Sequence, residues 1–186
     1  KNVLSPNTGS GYIFASYMKD AVSFIKQYDY NGKLVRDIQL PGVGSAGGFG
    51  GKEKETTLYF SFTNYVTPGT TYTFDPKTGK SAVYEKPKVD FNSADYESKQ
   101  VFYTSKDGTK VPYITIYEKG IKPKAQFIYV YGSYGSTTPI NWPYQNWYPL
   151  LKRKWAIVFA FVRGGGDVDA AWAEAARREN RHVSVD

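Results

Sequence analysis

The sequence predicts two unlike parts, β-propeller blades followed by the start of an α/β sheet. Three observations carry that expectation. The first is a repeat: Leu58-Tyr-Phe-Ser-Phe62 answers Tyr12-Ile-Phe-Ala-Ser16, and Tyr72-Thr-Phe-Asp75 answers Gln27-Tyr-Asp29, both at an offset of 46 (58 − 12 and 75 − 29). A period of roughly 40–50 residues with four short strands per unit is the pattern of propeller blades. The second is the end of that repeat near Glu85-Lys-Pro-Lys88, after which apolar runs leave directly into glycine. The third is the run at 155–162, apolar throughout and closed by Gly164, Gly165 and Gly166, which reads as a central parallel strand. The resulting division is blades over residues 1–87 and the α/β part over 88–186.

Taken in order, residues 12–17 and 22–30 read as strands, with Asn31-Gly32 a two-residue hairpin turn before a strand at 33–40. Pro41-Gly42 stops that hairpin. Residues 42–51 are glycine-rich and read as a loop; a phosphate cradle would need a Lys-Ser/Thr pair and a following helix, and neither is there. Strands at 58–62 and 72–75 follow, the latter closed by the turn Pro76-Lys-Thr-Gly79. Two blades cannot close a propeller, which takes at least about four, so the chain is expected to be a piece of something longer.

Residues 91–96 are polar and acidic and suit a crossing between domains. A hairpin is expected from 100–104 and 111–117 around Asp107-Gly108, then a basic loop at 119–124 and a strand at 127–131. A short helix is expected at 145–153. After the strand at 155–162, Ala, Glu and Arg predict a helix over 167–181, capped by Asp167 or Asp169.

Composition removes several function classes. A hydrophobic content of 41% with 22% charged residues is that of a folded domain, and 17 Tyr in short alternating runs favour strands. The net charge of +7 comes from scattered lysines rather than a basic stripe, so no nucleic-acid partner is expected. With no cysteine, disulfides, thiolate chemistry and Cys-ligated zinc are excluded. No apolar stretch approaches the roughly 20 residues that span a bilayer, so no membrane partner is expected either. The first ten residues lack the apolar centre of a signal peptide and suit the start of a fragment; cytoplasm and periplasm fit equally. His182 near Asp167, Asp169 and Glu174 is one histidine without a spaced partner, better read as a surface residue than a metal ligand, and no cofactor is expected. Trp142, Tyr144, Trp147 and Tyr148 form either a stacking platform for sugar or base or, more simply, a packing surface for the helix beside them.

Tyr129-Val-Tyr-Gly-Ser-Tyr-Gly135, then an apolar strand into Arg163-Gly-Gly-Gly-Asp167 with Trp172 beyond, resembles the prolyl oligopeptidase family of serine peptidases, with wording nearest its oligopeptidase B branch. Gly44-Ser-Ala-Gly-Gly-Phe49 and Asp107-Gly-Thr-Lys-Val-Pro112 resemble that family's last blades and the entry to its peptidase domain. The resemblance implies an α/β-hydrolase domain capped by a β-propeller that admits short peptides, with acyl transfer by a Ser, Asp, His triad. Neither Ser133 nor Ser136 has the spacing of a Gly-x-Ser-x-Gly elbow, so the triad is expected beyond Asp186 and the segment alone is expected to be inactive. It further implies that Tyr131 donates to the oxyanion, with the remainder of the peptidase domain as partner and a short peptide as substrate. Tyr134, with Ser133, would wall the pocket for the residue before the scissile bond; ordinary packing explains Tyr134 equally well. Arg163, Gly164, Gly165 and Gly166 are expected to be structural, the arginine holding its loop. The family usually has Glu and then Gly where this chain has Asp167 and Asp169. The alternatives kept open are a non-catalytic propeller and hydrolase-like binding module, and a sugar-binding propeller.

Overall fold

A computed structural model describes residues 2–142 and 147–186. Among them, the first 85 residues form two four-stranded antiparallel sheets, each in sequence order. The first holds β1 (Asn2–Gly9), β2 (Tyr12–Lys19), β3 (Val22–Tyr28) and β4 (Leu34–Asp37). The second holds β5 (Ser45–Gly48), β6 (Leu58–Asn64), β7 (Thr67–Phe74) and β8 (Ser81–Glu85). The 46-residue offset maps β2 onto β6 and β3 onto β7, the inner pair of each sheet.

Several local expectations are corrected. The segment before Ser10 is a strand, β1, paired along β2; its Pro6 is tolerated because β1 is an edge. The link at Asn31-Gly32 is wider than a two-residue turn. Asp29 Oδ1 accepts from the amides of Asn31 and Lys33, both at 2.9 Å, and Gly32 supplies the positive φ of +80°. The flanking strands therefore end at Tyr28 and begin at Leu34.

The glycine-rich stretch at 42–51 contains β5 rather than being loop throughout. A Cβ on Gly48 would lie 2.7 Å from the Tyr59 carbonyl, so glycine there serves close strand approach and not mobility. Phe49 then drops fully out of solvent, stacked on Phe60 at 4.6 Å and Phe14 at 5.3 Å, with Phe74 edge-on at 5.3 Å. These rings, with Ile25, Ile38, Leu58 and Phe62, are the core between the two sheets.

The third sheet is mixed, in the order β11, β12, β10, β9. The hairpin is longer than expected: β9 (Tyr96–Thr104) starts inside the polar segment and pairs with β10 (Lys110–Glu118) across nine residue pairs. β11 (Gln126–Val130) runs parallel to β12 (Ala156–Ala160), and β12, buried along its whole length, lies between β11 and β10. The connection includes α1 (Tyr148–Lys152), with Pro149 in its first turn. The expected helix start at 145–146, and Tyr144, lie outside the described residues. The expected helix over 167–181 is shorter: α2 (Ala170–Ala175), then a 3-10 segment at Arg178–Ser184. Asp169 caps α2 by accepting from the Trp172 amide at 2.8 Å, whereas Asp167 accepts from the Thr138 amide at 2.6 Å.

Alternation along β12 sets the sheet's two faces. Ile157, Phe159 and Phe161 point to a core shared with Ile114, Ile116, Leu151, Ile140 and the turn tips Ala21, Tyr65 and Val66 of the first two sheets. Tyr65 stacks on Phe159 at 4.1 Å and donates to the Pro139 carbonyl at 3.2 Å. The Ala21 amide donates to the Asp167 carbonyl at 2.8 Å. The opposite face, Val158, Ala160 and Val162 flanked by Ile128, Val130, Tyr113 and Tyr117, floors an open groove of about 770 Å³.

Candidate functional site

The two glycine loops meet at the ends of β11 and β12. Tyr131 is the first residue after β11, in the alternation register of Phe127 and Tyr129, and 46% of it is exposed. The loop then turns through left-handed backbone at Gly132, Tyr134 and Gly135, with φ of +55°, +57° and +63°. For tyrosine that conformation is uncommon and persists only where neighbours hold it.

Those neighbours are the 163–167 loop. The Gly135 amide donates to the Gly164 carbonyl at 2.9 Å, and the Gly166 amide to the Ser136 carbonyl at 3.0 Å. A Cβ on Gly164 would collide with the Gly132 carbonyl, and one on Gly166 with the Gly135 carbonyl. Two loops from neighbouring parallel strands are thereby zipped through bare backbone.

Arg163 is buried and anchors the second loop to the β9–β10 turn. It pairs with Asp107 and donates to Ser105 Oγ at 2.9 Å. The amide of Thr109 and the Arg163 guanidinium together hold the Asp107 carboxyl down at about 2. Asp167, 1% exposed, is the reverse case: burial pushes its carboxyl up to about 6, against the pull of the Thr138 amide. Burial, and then the Asp167 charge, also raise the Tyr65 phenol.

Tyr134 is 95% exposed, so ordinary packing does not account for it within this chain. Ser133 Oγ accepts from Arg181 Nη2 at 2.6 Å. His182 lies on the surface with Nδ1 3.3 Å from the Glu179 carbonyl, and among the described residues no group of His, Asp or Glu could hold a metal ion. Of the aromatics, Trp142, Trp147 and Tyr148 pack against the core shared by the sheets. No helix among the described residues is long and apolar enough to cross a membrane.

Sequence reasoning missed Arg181 and Ser184. Arg181 Nη1 donates to the Gly132 carbonyl, and to Ser184 Oγ at 3.0 Å. The Ser184 hydroxyl in turn donates to the Arg163 carbonyl at 2.7 Å. Both glycine loops are thus held by a segment about 20 to 50 residues away, and no local pattern marks it.

Two successive four-stranded antiparallel sheets that pack face to face through a shared aromatic core are the blade repeat of the β-propeller class. The family pattern for the prolyl oligopeptidase N-terminal beta-propeller domain matches residues 1–87. Prolyl endopeptidase of Elizabethkingia meningoseptica is 48% identical over 177 residues, covering 92% of this chain and 25% of that protein. A prolyl endopeptidase structure, solved in work on the role of inter-domain dynamics in catalysis and specificity, superposes with a TM-score of 0.85 at 34% identity, over 99% of this chain and 28% of that one. Oligopeptidase B of Leishmania major shares the fold with a TM-score of 0.78 at 20% identity, over 98% of this chain and 27% of that one. The chain belongs to the prolyl oligopeptidase family, whose named relatives here are peptidases. It spans about a quarter of the length of the relatives it matches.

Proposed function

We propose that this chain forms the end of a β-propeller and the first strands of an α/β-hydrolase domain in a serine peptidase acting on short peptides. The domain division lies near residue 87. The remainder of the hydrolase domain, carrying the Ser, Asp and His, packs against the bare face of the mixed sheet and the free edge of β11. The groove over Val158, Ala160 and Val162 supports this reading, because a parallel pair in an α/β sheet is ordinarily covered on both faces.

The observation that carries the proposal is Tyr131, half exposed where a parallel strand leaves the sheet into a loop locked by its neighbour. A tetrahedral intermediate gathers negative charge on oxygen, and the Tyr131 hydroxyl donates to it. The second donor is the amide following the triad serine. Tyr134 and Ser133 border the pocket for the residue before the scissile bond. Arg163 and Gly164, Gly165 and Gly166 hold the loop in shape. The relatives of higher identity are prolyl endopeptidases, which favours cleavage after proline over cleavage after basic residues.

The test uses the complete peptidase. A fluorophosphonate should label it, and it should release a chromophore from a peptide amide ending in proline faster than from one ending in arginine. Tyr131→Phe should lower kcat on the order of 100-fold, the loss expected for one oxyanion donor, with the unfolding midpoint unchanged. Unaltered turnover would remove Tyr131 from the mechanism, and absence of labelling would favour a non-catalytic binding module.

A further inference from the structure

We infer that Arg181 is a positioning residue for Tyr131, an assignment that rests on the reading of Tyr131 as the oxyanion donor. The guanidinium reaches three consecutive residues of one loop. It donates to the Gly132 carbonyl, to Ser133 Oγ at 2.6 Å and, at the longer distance of 3.5 Å, to the Tyr131 carbonyl. The same group donates to Ser184 Oγ at 3.0 Å, and Ser184 passes the connection on to the Arg163 carbonyl. Arg181 therefore ties the loop after β11 to the loop after β12 from outside the sheet.

The loop needs such a tie. Gly132, Tyr134 and Gly135 all have positive φ, and a non-glycine residue in that region relaxes unless its surroundings over-determine it. On one side the backbone zipper through Gly135 and Gly164 holds it. On the other side Arg181 does, and its planar fork suits several fixed acceptors where a lysine ammonium would serve as a single point charge. Arg181 makes no claim on substrate. It acts by fixing the backbone from which the Tyr131 phenol projects, and a displacement of about 1 Å at a catalytic donor costs on the order of 100-fold in rate.

The experiment is a double-mutant cycle in the complete peptidase, with kcat and KM measured separately for Arg181→Ala, Arg181→Lys, Tyr131→Phe and Arg181→Ala with Tyr131→Phe. Arg181→Ala should lower kcat by about 10- to 100-fold with a smaller rise in KM, because the oxyanion donor is displaced while Ser133 at the pocket border loses one hydrogen bond. Arg181→Lys should recover a minor part of the rate, and guanidinium ion added to the assay should raise the rate of Arg181→Ala but not of the parent. The double variant should be no slower than Tyr131→Phe alone, since the arginine works through that phenol. If the two single losses multiply, or if Arg181→Ala turns over normally while Tyr131→Phe is slow, the inference falls and the role of Tyr131 stands. Normal turnover in Tyr131→Phe removes both. Should Arg181→Ala fail to fold, the same cycle run with Arg181→Lys decides by the same criteria.

Discussion

The pair of antiparallel sheets and the mixed sheet both have aromatic interiors, yet they complete those interiors by different means. Between the first two sheets, Phe14, Phe49, Phe60, Phe62 and Phe74 close on one another, each no more than 2% exposed. The mixed sheet completes one face with borrowed groups, the turn tips carrying Ala21, Tyr65 and Val66, and leaves its other face open beside Ile128 and Val130. A repeat brings its packing partner in its own sequence, because the next blade presents the same apolar face. A mixed sheet has no such provision in its own strands, and its second face is left as an open groove among the described residues.

The largest effect is expected where the closed core is opened. Phe49→Ala removes a ring that touches Phe14, Phe60 and Phe74, and with it the packing that sustains an uncommon backbone φ of +65°. Urea unfolding should show a loss of about 3–5 kcal/mol. A loss under about 1 kcal/mol would mean that the two sheets do not share a core.

The ring contacts of Phe49 also show where sequence reading reaches its limit. The repeat was legible because strands at 58–62 and 72–75 keep the aromatic pattern of 12–16 and 27–29 on the same side of each sheet. β5 was not, because Ser45-Ala-Gly-Gly48 has neither β-branched residues nor alternation and is a strand only through pairing with β6. The apolar run at 155–162 gave both a strand and its central place. Helix propensity over 167–181 misled: Ala176, buried beneath the loop at Gly164, ends α2, and tertiary contacts of Arg181 and Ser184 shape the rest. Arg163 was expected to hold its loop, and Tyr131 was singled out only through the family resemblance. The partners of Arg163, namely Asp107 and Ser105, lie 56 and 58 residues away and were not.

The junction between the two kinds of sheet should respond to pH. Asp167 lies there, its carbonyl taking the Ala21 amide and its buried carboxyl raised to about 6 from an ordinary value of about 3.9. A carboxyl raised on folding binds its proton more tightly in the folded chain, so its contribution is complete below pH ~4 and is lost as pH rises through about 6. The shift of about two units corresponds to at most about 3 kcal/mol. Asp167→Asn keeps an acceptor for the Thr138 amide and cannot ionise, so it should flatten the urea midpoint between pH 4 and 6.5, the window set by those two values. Asp107, held down at about 2, changes stability only below that window and in the opposite sense. An unchanged slope in Asp167→Asn would place the pH response elsewhere.

The smallest effect sharpens the contrast most. Ile128 is 57% exposed on the bare face, whereas Phe49 is fully buried, although both are large apolar residues in or beside a strand. Ile128→Thr keeps the β-branch that suits an edge strand and removes only surface that this chain leaves in water. Its unfolding free energy should move by less than about 0.5 kcal/mol, while self-association followed by sedimentation should weaken, because exposed apolar patches drive such contacts. A loss above about 2 kcal/mol would show that the face is already covered within the chain, and the distinction between a self-completing repeat and an open mixed sheet would fail. In the complete peptidase proposed above, the same substitution should become costly, at about 1–3 kcal/mol, since the side chain would then be buried against the helices and strands of the proposed domain. The difference between those two measurements is the free energy that the rest of the domain contributes at this position.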